Sequence, residues 1–342
     1  MTDTLHPLAE PNPNSTIAER YTLRDHLGSG GMADVFSAWD ERLGREVAVK
    51  LYRSAASAES AQEIEQADRE LRLLAELRHP GLIEVFDAGT VRVEGVERDY
   101  LVMELVDTPS FRGVLTESAG IAARQVAEIG CQVADALAYV HSRGIVHRDV
   151  TPGNILVAET PAFGFRNLVK LADFGIARSV HTMHREDDGP VFGTAAYLSP
   201  EQVLGEPVGT ASDVYSLGLV LIEALSGERQ YSGTPVEAAL ARLHRPPTVP
   251  DGLPEGWAEM LESMTAREAG LRPTSHDVAV TLRELWLRDA SHSRHAGRAG
   301  ARRSAERQPN DLGGRIAALV LLGLAVASLG VAFALSSGPL GS

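Results

Sequence analysis

Asp149 and Asn154 stand five residues apart in His147-Arg148-Asp149-Val150-Thr151-Pro152-Gly153-Asn154, after a β-prone Ile145-Val146. Asp173-Phe174-Gly175 follows a second short strand-like run, Val169-Lys170-Leu171-Ala172. Phosphoryl transfer needs a carboxylate that orients a hydroxyl and takes its proton. It also needs oxygen ligands for a hard cation such as Mg²⁺. Asp149 fits the first role, and Asn154 and Asp173 fit the second. Each of the three alone reads equally well as a turn-capping side chain. The ordered set is much harder to reach by chance.

Upstream, Leu27-Gly28-Ser29-Gly30-Gly31-Met32-Ala33-Asp34-Val35 is a glycine-rich turn between strand-like segments. Without a Cβ, glycine lets backbone N–H groups come close to phosphate oxygens. Ala33 replaces the third glycine of the usual spacing, and by itself the stretch reads also as a plain hairpin turn. Ala48-Val49-Lys50 then puts a lysine on the next strand, where it can grip α- and β-phosphates. That lysine needs a carboxylate to hold it. Glu70, nine residues before His79-Pro80, is in position, although alone it is an ordinary solvated helix residue.

The elements that must carry these groups fall into two halves. From Tyr21 to about Met103 the pattern is strands, with Val47-Ala48-Val49 and Tyr100-Leu101-Val102-Met103 as apolar runs. One helix interrupts them, with Ile64, Ala67, Leu71, Leu74 and Arg78 at helical spacing and His79-Pro80-Gly81 as its stop. After Glu104 the chain turns helical. Ile121 to Ser142 carries Ile129, Val133, Leu137 and Val140 on one face, and further helices are expected over Ser212–Leu225 and Ser275–Arg288. A cleft between a sheet-rich and a helical half is a preferred place for a ligand.

Taken together, these motifs resemble the eukaryotic-like (Hanks-type) protein kinases, most closely the bacterial transmembrane Ser/Thr kinases. The resemblance runs from about Tyr21 to Arg288. It implies an α+β, two-lobed protein kinase fold with a β-rich N-lobe (21–103) and an α-helical C-lobe (104–288). ATP and Mg²⁺, or Mn²⁺ in its place, are the implied cofactors, and Ser/Thr hydroxyls of protein substrates the implied acceptors. Lys50, Glu70, Asp149, Asn154 and Asp173 take the catalytic positions, the last two as metal ligands. Leu27 to Val35 would cover the phosphates. Val35, Ala48 and Leu156 would sandwich adenine, with Met103 as gatekeeper and Glu104 to Val106 as hinge. Gly193 to Glu201 matches the substrate-positioning loop, Asp213 the brace of the catalytic loop, and Arg272 the partner of Glu201.

Two departures stand out. The family's loop carries a lysine where Thr151 stands, and losing one such electrostatic contact costs on the order of 10²–10³ in rate. The loop before Gly193 reads Glu186-Asp187-Asp188-Gly189 where relatives carry phosphorylated threonines. Those carboxylates either stand in for phosphate against Arg148 or form only an acidic loop. Thr182 and Ser179 remain candidate phosphosites, and Thr194 is a phosphosite or a structural threonine against Asp149. Retention of Lys50, Asp149 and Asp173 weighs against the rival reading, a pseudokinase that only binds. Gly193 to Glu201 and Asp213 weigh against a small-molecule phosphotransferase.

Bulk properties frame this. A formal charge of −14 over 342 residues argues against a nucleic-acid binder. The single cysteine, Cys131, fits a buried small residue in a reducing compartment. Residues 1–20 are polar, read as disordered and carry no signal-peptide pattern. Ile316 to Leu335 is uncharged and apolar throughout. At ~1.5 Å rise it spans roughly 30 Å, a bilayer core. The linker 289–315 before it has six arginines against three acids. That places a single-pass protein in the cell membrane with its kinase domain cytoplasmic, a signalling kinase with a seven-residue tail (336–342) outside. Gly323, Ala327 and Gly330 offer a weak small-residue seam for a homodimer.

Overall fold

The computed structural model describes residues 15–29, 33–53, 75–93, 95–118, 120–158, 165–173 and 194–288. Gly30 to Met32, Glu70 with most of its expected helix, Phe174 and Gly175 lie outside them. So do Ser179, Thr182, Glu186 to Asp188, the linker 289–315 and the span 316–335. Among the described residues no helix is long and apolar enough to cross a membrane. The chain divides into two compact units, Met1–Leu287 and Arg288–Ser342.

Strands β1 (Thr16–Ile17), β2 (Tyr21–Ser29), β3 (Ala33–Asp40), β4 (Arg45–Tyr52), β5 (Val85–Val93) and β6 (Val96–Met103) form one antiparallel sheet. Their order is β1-β2-β3-β4-β6-β5. Side chains alternate across a strand, and β4 uses both faces. Val47, Val49 and Leu51 are fully buried with Leu23, Phe36 and Val102 in the sheet's own core. Ala48 and Lys50 therefore face the other way, toward the cleft. Disorder expected over 1–20 does not hold for the described residues 15–20, because Ile17 buries its side chain in this core and pairs with Tyr21. Arg20 adds a two-pronged salt bridge to buried Asp40 at 2.8 Å.

The helical half is built around α2 (Ala123–His141) and α4 (Thr210–Ser226), after the short α1 (Phe111–Thr116). Val126, Ile129, Val133, Leu137 and Val140 recur every three or four residues on α2, and all are buried. Helix α4 is buried from Ser212 through Ala224, so it is a central pillar rather than an amphipathic surface helix. It stops at Gly227, whose φ of +74° makes the left-handed cap that favours glycine. A Cβ on Gly218 would lie 2.7 Å from Thr265 Cγ2, which shows how closely α6 (Trp257–Met264) packs there. Helices α3 (Pro200–Leu204) and α5 (Pro235–His244) and the helical residues 275–288 complete this half.

Between the lobes, β7 (Ile155–Ala158) and β8 (Leu168–Leu171) form a two-stranded ribbon in the register Ile155↔Leu171. It joins the upper lobe through Ile83 N to Leu171 O (3.0 Å) and Leu171 N to Gly81 O (2.8 Å). The Ile145-Val146 run forms no strand. Ile145 packs against the helical core instead of joining a ladder.

Candidate active site

The loop 147–154 is held by its backbone. Asp213, buried on α4, accepts the N–H of His147 on Oδ2 and that of Arg148 on Oδ1, both at 2.8 Å. Arg148 adopts φ +67°, a left-handed conformation that costs a non-glycine residue roughly 1–3 kcal/mol. Asp213 below and Gln202, which donates to the Arg148 carbonyl at 3.0 Å, keep it there. His147 is fully buried. Its Nδ1 accepts from Asp149 N at 3.3 Å, so Nε2 carries the proton toward Ala172 O at 3.1 Å. Burial lowers its pKa, outweighing the nearby carboxylates, so the ring is a neutral strut.

Asn154 then aims Asp149. Its Nδ2 donates to the Asp149 carbonyl (2.8 Å) and to Oδ2 (2.9 Å), leaving the amide oxygen as the group free to face a cation. Asn154 and Ala172 continue the β7–β8 pairing through Ala172 N to Asn154 O at 2.8 Å. Asp173 therefore emerges beside the loop, at φ +57°. Its Oδ1 meets Lys50 Nζ at 2.8 Å. Burial disfavours the Lys50 charge, but the attraction of Asp173 and the hydrogen bond to it raise the pKa above the usual lysine value. One amide oxygen and one carboxylate side by side are an all-oxygen donor set, which suits Mg²⁺ with phosphate oxygens and water completing its shell.

The residues expected to enclose adenine also come together. Ala48, Ile83 and Met103 form a small buried cluster with Val35, Leu105, Val106, Leu156 and Ala172 packed against it. Sheet register explains this, because Ala48 lies opposite Met103 and Val35 opposite Lys50. Leu27 is exposed at the rim, and a Cβ on Gly28 would meet no atom within 4 Å. Among the described residues, no contact demands glycine there.

Other expected residues turn to structural partners. Asp34 is buried and accepts from Ser29 (2.7 Å) and Arg53 (3.0 Å), so its side chain ties the glycine-rich turn to the end of β4. Burial raises its pKa, but the hydrogen bonds and charge of Arg53 bring it below the ordinary value. Glu104 accepts from Lys170 on β8 at 2.8 Å, so its carboxylate is taken by a structural partner. Thr151 is buried and its carbonyl accepts from Asn154 N. Among the described residues nothing bonds the buried Nε of Arg148. Thr194 opens a 3₁₀ turn, Thr194–Tyr197, at the start of the next described stretch.

Several residues escaped the sequence reading. His141 joins Asp213 Oδ2 to the Ser275 hydroxyl at 2.8 Å on each side, tying the brace to the last helix. Glu223 bonds Arg112 and Tyr197. A lone carboxylate inside an apolar helix, as in Leu219 to Leu225, is the signal that would have found it. By contrast, the expected pair of Arg272 and Glu201 is present and bidentate, at 2.7 and 2.9 Å.

This fold and this set of residues define the class: the chain belongs to the protein kinase domain family, which it matches over residues 21–282. Among curated proteins it is similar to the serine/threonine-protein kinase PknA of Mycobacterium tuberculosis, 39% identical over 265 residues. That alignment covers 77% of this chain and 60% of PknA. It is also similar to the serine/threonine-protein kinase PknB of Mycobacterium leprae, 37% identical over 275 residues, covering 80% of this chain and 43% of PknB. The chain thus spans about half the length of the curated relatives it matches.

Proposed function

We propose that this chain is an ATP-dependent kinase that moves the γ-phosphate to Ser and Thr hydroxyls of proteins. The observation that carries the reading is the convergence of Asp149, Asn154, Asp173 and Lys50 on one edge of the cleft. The small apolar cluster of Ala48, Met103 and Leu156 adjoins it as a slot for adenine. In this reading Asp149 orients the acceptor hydroxyl and takes its proton. Lys50 positions the α- and β-phosphates. Asn154 and Asp173 hold Mg²⁺, which when bound neutralises charge on the transferring phosphoryl group. The similar mycobacterial proteins are serine/threonine-protein kinases, which supports Ser/Thr as acceptors. Arg148, with its buried Nε, is the group to receive a phosphate or the carboxylates of Glu186 to Asp188.

We also propose that 316–335 anchors the kinase domain at the cytoplasmic face, on the strength of its charge-free length and the arginines before it. One experiment covers both. Membranes from cells expressing the full chain are washed in high salt and incubated with γ-labelled ATP and Mg²⁺. Labelled phosphoserine or phosphothreonine in the pellet is the expected result. Label only in the soluble fraction removes the anchor, and no label in any fraction removes the kinase.

Thr151 sets the rate. Where the family's lysine would sit beside the transferring phosphate, this chain offers a buried threonine. Thr151→Lys is expected to raise kcat by about tenfold at saturating ATP, a conservative share of the effect of one such electrostatic contact. Steady-state kinetics on a generic protein substrate checks it. An unchanged or lower kcat means that another cation already supplies the charge.

A further inference from the structure

Gln202 is the third residue of α3 and closes a capping box at the start of that helix. Its Oε1 accepts from the N–H of Ser199 at 2.8 Å, while its own N–H donates to the Ser199 hydroxyl at 3.4 Å. For that task a glutamate would serve as well, and its charge would suit the positive end of the helix. The amide differs from a carboxylate in carrying a donor, and here that donor is in use. Nε2 donates to the Arg148 carbonyl at 3.0 Å, 54 residues away in the chain. Turning the amide over would set oxygen against oxygen and nitrogen against N–H, so the two bonds fix its orientation.

The peptide plane that Gln202 grips is the one leading into Asp149. Arg148 O and Asp149 N belong to the same planar unit. Its N–H end is held by His147 Nδ1 at 3.3 Å and its carbonyl end by Gln202. Arg148 N is held in turn by Asp213 at 2.8 Å. Between these grips Arg148 keeps its φ of +67°, which a residue with a Cβ holds only under restraint. Releasing the carbonyl lets the plane turn, and the Asp149 side chain turns with it. Gln202 itself stands on a firm base. Its neighbour Glu201 is buried and bound twice by Arg272, at 2.7 and 2.9 Å, and Ser199 is fully buried.

We infer that Gln202 is a positioning residue for phosphoryl transfer, one that ties the placement of α3 to the direction of the Asp149 carboxylate. Helix α3 opens inside the segment that matches the family's substrate-positioning loop. The acceptor hydroxyl and the base that takes its proton are thereby kept at one separation, which is where positioning contributes to rate. This inference rests on the kinase reading above and adds to it a residue from outside the catalytic loop.

Two substitutions in the full-length chain separate the halves of the amide. Gln202→Glu keeps the acceptor for Ser199 and removes the donor to Arg148. Gln202→Lys keeps a donor in reach of Arg148 and removes the acceptor. Single-turnover transfer at saturating ATP gives a rate constant, while its amplitude counts the folded enzyme separately. Gln202→Glu should lower the rate constant by roughly tenfold, about the worth of one hydrogen bond, with Tm close to wild type. Gln202→Lys should lose less of the rate but drop Tm by roughly 2–4 °C, the loss of a helix cap. A rate constant for Gln202→Glu within about twofold of wild type overturns the inference, as do rates that simply follow Tm. If wild type transfers no phosphate, the kinase reading fails separately. Hydrogen exchange at the Asp149 and Val150 amides then decides the role of Gln202. Faster exchange in Gln202→Glu than in Gln202→Lys is expected, and equal or slower exchange overturns the inference.

Discussion

Asp149→Asn is expected to lower phosphoryl transfer by ~10²–10⁴-fold, the usual contribution of a positioned general base, while leaving ATP affinity within about twofold. The carboxylate is aimed by Asn154 Nδ2, and the backbone around it is held by Asp213, His147 and Gln202. None of these contacts depends on the charge of Asp149. An amide of the same shape can still accept from Asn154 on its oxygen, so the loop should keep its conformation. What is lost is the ability to take a proton from the acceptor hydroxyl. Nucleotide contacts are assigned to other groups: Lys50, the backbone at Glu104 to Val106, and the cluster of Ala48, Met103 and Leu156. Single-turnover transfer at saturating ATP measures the first effect, and titration with a fluorescent nucleotide the second. A rate within tenfold of wild type would show that Asp149 does not act as the base. A lost nucleotide affinity would show that the substitution reaches beyond it.

The parts legible in the sequence share a physical property: their information is local. Asp149 and Asn154 lie on one loop, and Asp173 follows a strand that pairs beside that loop, so spacing alone brings them close. The apolar face of α2 follows from period as well. What spacing does not encode is pairing across the chain. His141 meets Ser275 from 134 residues away, and Arg112 meets Glu223 from 111. Nothing near any of the four points to its partner. Each betrays itself only as a polar group in an apolar setting that must find one. Ile145-Val146 misled for the opposite reason. Its β-branched pair matches a strand locally, but the competing term is burial against the helical core, and that decides its conformation. Ile17 behaves similarly, an apolar residue in a largely polar stretch that draws a short strand onto the sheet.

The same logic sharpens the departures from the family. Thr151 lies inside the catalytic loop, yet among the described residues the hydrogen bond it makes in holding the loop is through its carbonyl to Asn154. Its replacement therefore acts on rate and not on architecture, whereas Asp213, remote in sequence, acts on architecture first. Position in a motif and role in the fold are separate properties, and only the hydrogen-bond network distinguishes them.

Arg272→Ala is expected to destabilise the domain by about 3–5 kcal/mol, the cost of leaving a buried charge without its partner. Arg272 and Glu201 are both under a tenth exposed. The guanidinium gives two hydrogen bonds to Glu201 and others to the carbonyls of Ala211, Ala266 and Arg267, so every side-chain nitrogen is engaged. Removing it strands Glu201 beside Ser212 with no positive charge. At roughly 2–4 °C per kcal/mol for a domain of this size, Tm should fall by about 10 °C. The pH dependence identifies the cause. Burial pushes the Glu201 carboxyl up, but hydrogen bonds from Arg272 and Ser212 and the arginine's charge overcome this and hold its pKa at about 2, against an ordinary 4.5. A depressed carboxylate contributes stability that is fully present above the unfolded value and is lost as pH falls through the folded one. The wild-type pair thus contributes on the order of 3 kcal/mol at neutral pH, vanishing between pH 4.5 and 2. In the variant, burial favours the neutral acid, so protonation relieves the stranded charge. The gap in Tm between wild type and Arg272→Ala should be widest near neutral pH and narrow as pH falls toward 3, as scanning calorimetry across that range would record. A gap that does not change with pH would mean that lost packing of the arginine stem, and not the stranded carboxylate, sets the penalty.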